Sequence, residues 1–423
     1  MLKRAMSFLV SVFIIISSPA QEKKLTLQEC LQKAALNHPL SDQAGYLAAT
    51  GDLKSRNLNR NYLPEFTING NIHYQSDVTE VPIRVPQFEF EALSKDWYKI
   101  SLDASQVIWD GGITRRSKEV EELDNMIGLQ NVGIEMYRIR ERVITAYFNI
   151  LALQEQKSLL ELHLGTLQSQ LDEVESGIRH GAVLASNADI LKAEMLKMGQ
   201  RLTENELNIV LAYKILSLLT GEEIAVDTDL QMPVQDIYMT AGGQDRLEYG
   251  LFSLQEQKAE SMKKVVSSRL MPRFVAYGQA GYGRPGFDML KNEFDDFYMI
   301  GARMSWNFWD WNKGRNEKTI LDLNRNIIQS NRDHFSQNIS IELERKQAEV
   351  LRYHKLIEKD EEIAELRAGI SKTYASRLAN GVITATEYIT ELNAETEALL
   401  NLKIHQVQLV KATYDYLATA GKL

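Results

Sequence analysis

From Phe66 the chain alternates: Phe66, Ile68, Gly70, Ile72 and Tyr74 fall on one side of an extended backbone, and Thr67, Asn69, Asn71, His73 and Gln75 on the other. Period-two patterning predicts a strand with one apolar and one wet face. Tyr98, Ile100, Leu102 and Ala104 stand in the same way against Lys99, Ser101, Asp103 and Ser105, and Ile300, Ala302 and Met304 against Gly301, Arg303 and Ser305. The segment after Pro272 is less regular, because Val275 and Tyr277 lie on the side that should be wet. It is read as a strand mainly because the surrounding sequence recurs. Four strands are predicted, at about 65–76, 97–109, 273–283 and 297–309.

Between and after the strands the period changes. Leu160, Leu164, Leu167, Leu171, Val174 and Ile178 are spaced alternately by four and three, as are Leu191, Met195, Met198, Leu202, Asn205 and Ile209 beyond Gly181. That is a heptad seam. In the C-terminal half, Ile363, Leu366, Ile370, Tyr374 and Leu378 approach Gly381, and Tyr388, Leu392, Leu399 and Leu402 leave it. A glycine that ends a helix in the left-handed conformation lets the chain double back, so both interruptions are expected hairpin tips. From Arg115 to Arg179 such a helix extends on the order of 100 Å at 1.5 Å per residue, more than a globular domain needs.

The two halves share one plan. "YLPEFTINGNIHY" at Tyr62 recurs as "LMPRFVAYGQAGY" at Leu270, and Tyr98, Ile100, Ser105, Trp109 and Asp110 match Tyr298, Ile300, Ser305, Trp309 and Asp310 at an offset of 200, which Gly181 and Gly381 keep. Repeated units are the first thing such spacing predicts. The expected division is an export signal over 1–20, a first repeat over 21–220, a connector over 221–244 and a second repeat over 245–423.

Composition narrows the function. A net charge of −9 over 423 residues supplies no basic stripe, so nucleic acid is not an expected partner. Lys3 and Arg4, the apolar run Phe8 to Ile16 and the small residues of "SSPA" predict export, with the mature chain starting near Gln21. Cys30 is the only cysteine, so no intrachain disulfide is possible, and Glu29 before it does not suit a lipidation site. No later segment is apolar enough for a membrane helix, so contact with a bilayer would have to be made by strands. The seven histidines are scattered singly, and "GGQDRLEYG" follows no clear strand. No catalytic, metal or cofactor site is therefore expected, and an enzyme is not.

Strands of about ten residues are long enough to cross a bilayer when tilted. Tyr74, Trp97, Tyr98, Tyr282, Trp306, Phe308, Trp309 and Trp311 cluster at their ends, where a membrane boundary would place aromatic rings. Four strands cannot close a barrel, since each open edge would leave backbone groups unsatisfied in lipid and single-chain barrels begin at about eight strands. Several copies must share one. Two would give eight strands and a filled bore, and three would give twelve and room for a channel.

With "LP" and "MP" at strand entry, "QVIWDGG" at Gln106 to Gly112 and a glycine-centred tip in each half, nearly all of the expected mature chain resembles the outer membrane efflux protein family, the TolC-like trimeric exit ducts of Gram-negative tripartite pumps and type I secretion systems. The resemblance implies a mainly α-helical fold with long antiparallel hairpins and four β-strands per chain. In the homotrimer these make a twelve-stranded barrel in outer-membrane lipid, continuous with a helical tunnel through the periplasm. Its implied partners are a periplasmic adaptor and an inner-membrane transporter.

The tips are the expected adaptor contacts: Arg179, Gly181, Val183, Leu184, Ala185 and Ser186 in the first half, and Asn380, Gly381, Val382, Ile383, Thr384 and Ala385 in the second. Asp189, Glu387 and Glu391 are candidates for an acidic ring at the entrance, and Asp103 and Arg303 for the barrel lumen. In the family an acidic residue follows the tip glycine by six positions. Glu387 fits, whereas Asp189 lies eight after Gly181, which predicts two extra residues or a different register in the first tip. The alternative is a periplasmic coiled-coil scaffold or adaptor with no pore. As a duct, the protein is expected to conduct passively, with cargo for efflux or for polypeptide or polysaccharide export left open.

Overall fold

The computed structural model describes residues 24–79, 93–234, 243–289 and 291–423. The predicted export signal lies outside them, as do residues 235–242 of the expected connector. In chain order the elements are α1 (Leu27–Asn37), α2 (Ser41–Arg60), β1 (Glu65–Tyr74), β2 (Asp96–Trp109), α3 (Ile113–Arg179), α4 (Ala185–Thr220), α5 (Leu247–Ser268), β3 (Arg273–Arg284), β4 (Asp295–Ser305), α6 (Lys313–Ala379) and α7 (Ala385–Ala420). Both α3 and α6 have 67 residues, α4 and α7 both have 36, and each pair starts 200 residues apart. A 67-residue helix is about 100 Å long.

The strands form one antiparallel sheet in the order β1-β2-β3-β4, so β1 and β4 are open edges. Its apolar face is not covered by the chain: Phe66 is 67% exposed, Ile68 73%, Ile72 77% and Ile300 84%. The other face is polar and tied across strands. Gln279 Nε2 donates to Asp103 Oδ1 at 2.5 Å and Ser101 Oγ to Oδ2 at 3.3 Å, while Asn69 Nδ2 bonds to the same carboxylate. These bonds fix β1, β2 and β3 in one register.

Strand β4 stops at Ser305, short of the expected 309. The reason is local. Trp306 Nε1 turns to donate to the Leu270 carbonyl at 2.9 Å, and Asp310 begins the entry into α6, its Oδ2 accepting the Gly314 amide at 2.7 Å. Asp110 plays this part before α3, accepting from Gly112 N (2.9 Å) and Tyr62 OH (2.9 Å) at Oδ1 and from Thr114 N (2.8 Å) at Oδ2. Burial raises the Asp110 pKa, but these donors outweigh it and hold the carboxyl below its ordinary value of 3.8.

Both junctions need two successive left-handed residues. Gly111 and Gly112 have φ of 73° and 83°; Trp311 and Asn312, with side chains, have 54° and 65°. At Gly111 a Cβ would lie 2.7 Å from the Ser268 carbonyl oxygen, so glycine is required there sterically as well.

Two large cores hold the helices together, with a smaller cluster of Val350, Leu409 and Ala412 between α6 and α7. Around mid-length, α1 packs Leu27, Cys30, Leu31 and Ala34 against Val143, Tyr147, Tyr213 and Leu216. A parallel bridge from Leu25 to Leu230 ties down the segment before α1, and Tyr147 OH lies 2.8 Å from the Leu25 carbonyl and 2.6 Å from that of Gln231. Cys30 is fully buried, which pushes its thiol up to about 12. The second core lies beneath the tips, where Leu167, Leu171, Val174 and Leu191 of the first hairpin meet Leu378, Ala385, Tyr388 and Leu392 of the second.

Candidate functional site

The hairpins turn by the same device. Gly181 and Gly381 take φ of 73° and 71°. Their amides donate to the carbonyls of Ile178 (3.0 Å) and Leu378 (2.9 Å), and the next amides, of Ala182 and Val382, to Gly177 (2.9 Å) and Arg377 (3.0 Å). Such paired bonds satisfy the last helical carbonyls and reverse the chain.

The following helices start at Ala185 and Ala385, so the turns are equal in length. This corrects the expected insertion or register change in the first tip. The position of Glu387 belongs in the first half to Asn187, two residues before Asp189. The constant offset of 200 points to the same residue, which in the first half is an amide where the second half has an acid.

The two helix starts are capped differently. Thr384 and Glu387 form a reciprocal box, with Glu387 N donating to Thr384 Oγ1 at 3.3 Å and Thr384 N to Glu387 Oε2 at 2.8 Å. Hydrogen bonds from the Thr384 backbone and hydroxyl hold the Glu387 carboxyl below its ordinary 4.5. Leu184, at the equivalent position before α4, has no capping side chain. Instead Asn187, 7% exposed, reaches across so that its Oδ1 accepts the Ala385 amide at 2.9 Å. The tips also touch through backbone: a Cβ on Gly381 would stand 2.6 Å from the Ala182 carbonyl oxygen, whereas one on Gly181 would meet nothing within 4 Å.

Of the expected contact residues, Ala385 is buried, and Val183 and Ile383 are half-buried against the core below. Arg179, Gly181, Ala185, Ser186, Asn380, Gly381 and Thr384 are exposed, together with Leu184 at 74% and Val382 at 70%. The tip thus presents two large apolar side chains to solvent on a well-packed base.

The three acids are in unlike settings. Glu387 caps its helix, Glu391 accepts from Arg367 Nη1 at 2.8 Å, and Asp189 is exposed with no hydrogen bond among the described residues. Arg367 and Asn187 were not candidates from sequence, because an arginine on a helix face and an asparagine one turn into a helix are ordinary there. Asp103 and Arg303 share the polar sheet face, the Arg303 guanidinium lying 5.1 Å from the centre of the Tyr277 ring. Among the described residues no helix is long and apolar enough to cross a membrane, and no group of three or more His, Cys, Asp or Glu is placed to hold a metal ion.

Neither a protein-family profile nor a curated protein sequence matches the chain. Solved structures do. The crystal structure of the outer membrane protein VceC from Vibrio cholerae agrees with a TM-score of 0.68 over 93% of this chain and 96% of that one, at 12% identity. The Campylobacter jejuni CmeC outer membrane channel gives 0.67 over 94% and 85% at 14% identity. The open state of the Neisseria gonorrhoeae MtrE outer membrane channel gives 0.69 over 94% and 89% at 16% identity. The chain has the outer-membrane channel fold. The alignments run over nearly the full length of both partners, so they take in the sheet and the long helical hairpins together.

Proposed function

We propose that this protein is an outer-membrane exit duct of the TolC-like kind, serving a tripartite efflux pump or a type I secretion system. One observation carries the reading: a four-stranded sheet with two open edges and an exposed apolar face is joined, through the Asp110 and Asp310 turns, to helices about 100 Å long. Apolar side chains so exposed match lipid on one face, and open edges call for further copies. Three copies would close a twelve-stranded barrel wide enough for a channel. The helices would cross the periplasm and present the tips to an adaptor and an inner-membrane transporter, which supplies the energy. Opening would separate the tip helices as rigid bodies.

Within this reading Leu184 and Val382 are the main adaptor contacts and Asp189 the acid best placed for an entrance ring, with Glu387 and Glu391 supporting the tip through Thr384 and Arg367. The test is subunit stoichiometry in detergent together with conductance across a planar bilayer. Trimers that conduct support the duct. A monomer that needs no detergent and leaves bilayers silent supports the scaffold instead.

A further inference from the structure

Strands β1 and β4 are the two sheet edges, each offering a row of backbone donors and acceptors to another strand. We propose that β4 of one copy pairs antiparallel with β1 of the next in one register, Glu65 opposite Ser305 through to Tyr74 opposite Asp296, and that Arg303 there forms an ion pair with Glu65. The proposal rests on the duct reading and specifies how its copies join.

Overlap comes first. Strand β1 spans Glu65–Tyr74 and β4 spans Asp295–Ser305, and in this register every β1 residue has a strand partner. A slip of one residue would set the apolar row of one strand beside the polar row of the other. Slips of two keep the faces but leave one end of β1 opposite residues outside β4.

Closure separates this register from the slip that shortens the climb. Across the sheet the observed pairing runs from Glu65 to Ser105, Tyr277 and Gly301. In the proposed joint Gly301 faces Asn69 of the next copy, so the path climbs four residues per copy, or about twelve around three copies, equal to the number of strands. Equal shear and strand number tilts barrel strands by about 36°, within the usual range. A slip of two residues that opposed Glu65 to Arg303 would halve the climb and flatten the strands to roughly 20°.

Charge agrees. Glu65 and Arg303 are exposed on the polar face at the same end of the sheet, and neither has an ion-pair partner among the described residues. In the joint they are diagonal neighbours, a separation that long side chains span. On the apolar face Phe66 then meets Met304, Ile68 meets Ala302 and Gly70 meets Ile300, so the lipid-facing band runs unbroken.

Paired cysteines test the register in membranes containing the full chain. Cys30 is the sole native thiol and is fully buried, so it gives no background. Asn71→Cys with Met299→Cys, directly opposite in the proposed register, should form an oxidised ladder of linked chains at least tenfold faster than Asn71→Cys with Phe297→Cys or with Gly301→Cys. Faster linking in either control, with trimers still present in detergent, overturns the register alone. Monomers throughout, wild type included, overturn the duct reading beneath it. Glu65→Arg should lower the temperature at which trimers dissociate, and Arg303→Glu in the same chain should restore it; no restoration overturns the ion pair.

Discussion

Asn187, in the first turn of α4, accepts the backbone amide of Ala385, the first residue of α7, at 2.9 Å. One hairpin thus satisfies a donor that the start of the other leaves open. Asn187→Ala removes the acceptor and leaves the buried amide unpaired, which should destabilise the tip by about 1–2 kcal/mol. Hydrogen exchange at residues 385–388 should accelerate, with exchange in the core around Tyr147 unchanged. Unaltered exchange at the tip would remove this role from Asn187.

The tip glycines should differ although their φ angles match. Gly181→Ala meets only the left-handed penalty, roughly 1–2 kcal/mol. Gly381→Ala meets the same penalty and also a contact of 2.6 Å with the Ala182 carbonyl, which must shift. Denaturant unfolding should therefore rank Gly381→Ala as the more destabilising. In an adaptor co-purification it should also be the more disruptive, because it separates the tips. Equal effects would show that the hairpins do not rest on each other here.

Much of the fold was legible because two periods, two and seven, write themselves plainly in Phe66 to Tyr74 and in Leu160 to Ile178. The end of β4 was not. Trp306 and Phe308 continue the composition of a strand, and only the indole hydrogen bond to Leu270 and the turn at Asp310 stop it. The tips were legible as turns through Gly181 and Gly381, since a left-handed cap has a sequence signature. Their mutual contacts were not, because Asn187 to Ala385 and Glu391 to Arg367 join segments whose approach is fixed by tertiary packing. Asp189, Glu387 and Glu391 are alike in sequence as acids near a tip, and the structure separates them by the partners they meet.

The second β-to-α junction should tolerate what the first requires. Trp311 and Asn312 sit at positive φ where the first half has glycines. Asn312→Gly relieves the left-handed conformation and should be neutral to stabilising, by up to about 1 kcal/mol once the extra freedom of the unfolded chain is counted. Gly111→Ala should destabilise by more than 2 kcal/mol in order of magnitude, because the added methyl meets the Ser268 carbonyl as well. Thermal dissociation of the two variants measured side by side checks the contrast.

Acid should loosen the start of α7 before that of α4. The Glu387 carboxyl is held below its ordinary 4.5 by hydrogen bonds from Thr384. A depressed folded value means that the cap's stabilisation is fully present above 4.5 and is lost as pH falls through the lower folded value, when protonation weakens the acceptor. Helix α4 has no such box and starts from Leu184, so its first turn should not share this dependence. Glu387→Gln keeps an acceptor without the charge and should flatten the profile at α7. Intrinsic-rate-corrected exchange at residues 385–388 and 185–188 between pH 6 and about 3 separates the two helices. If both tips respond alike, or if Glu387→Gln leaves the profile unchanged, the titration belongs to a group other than Glu387.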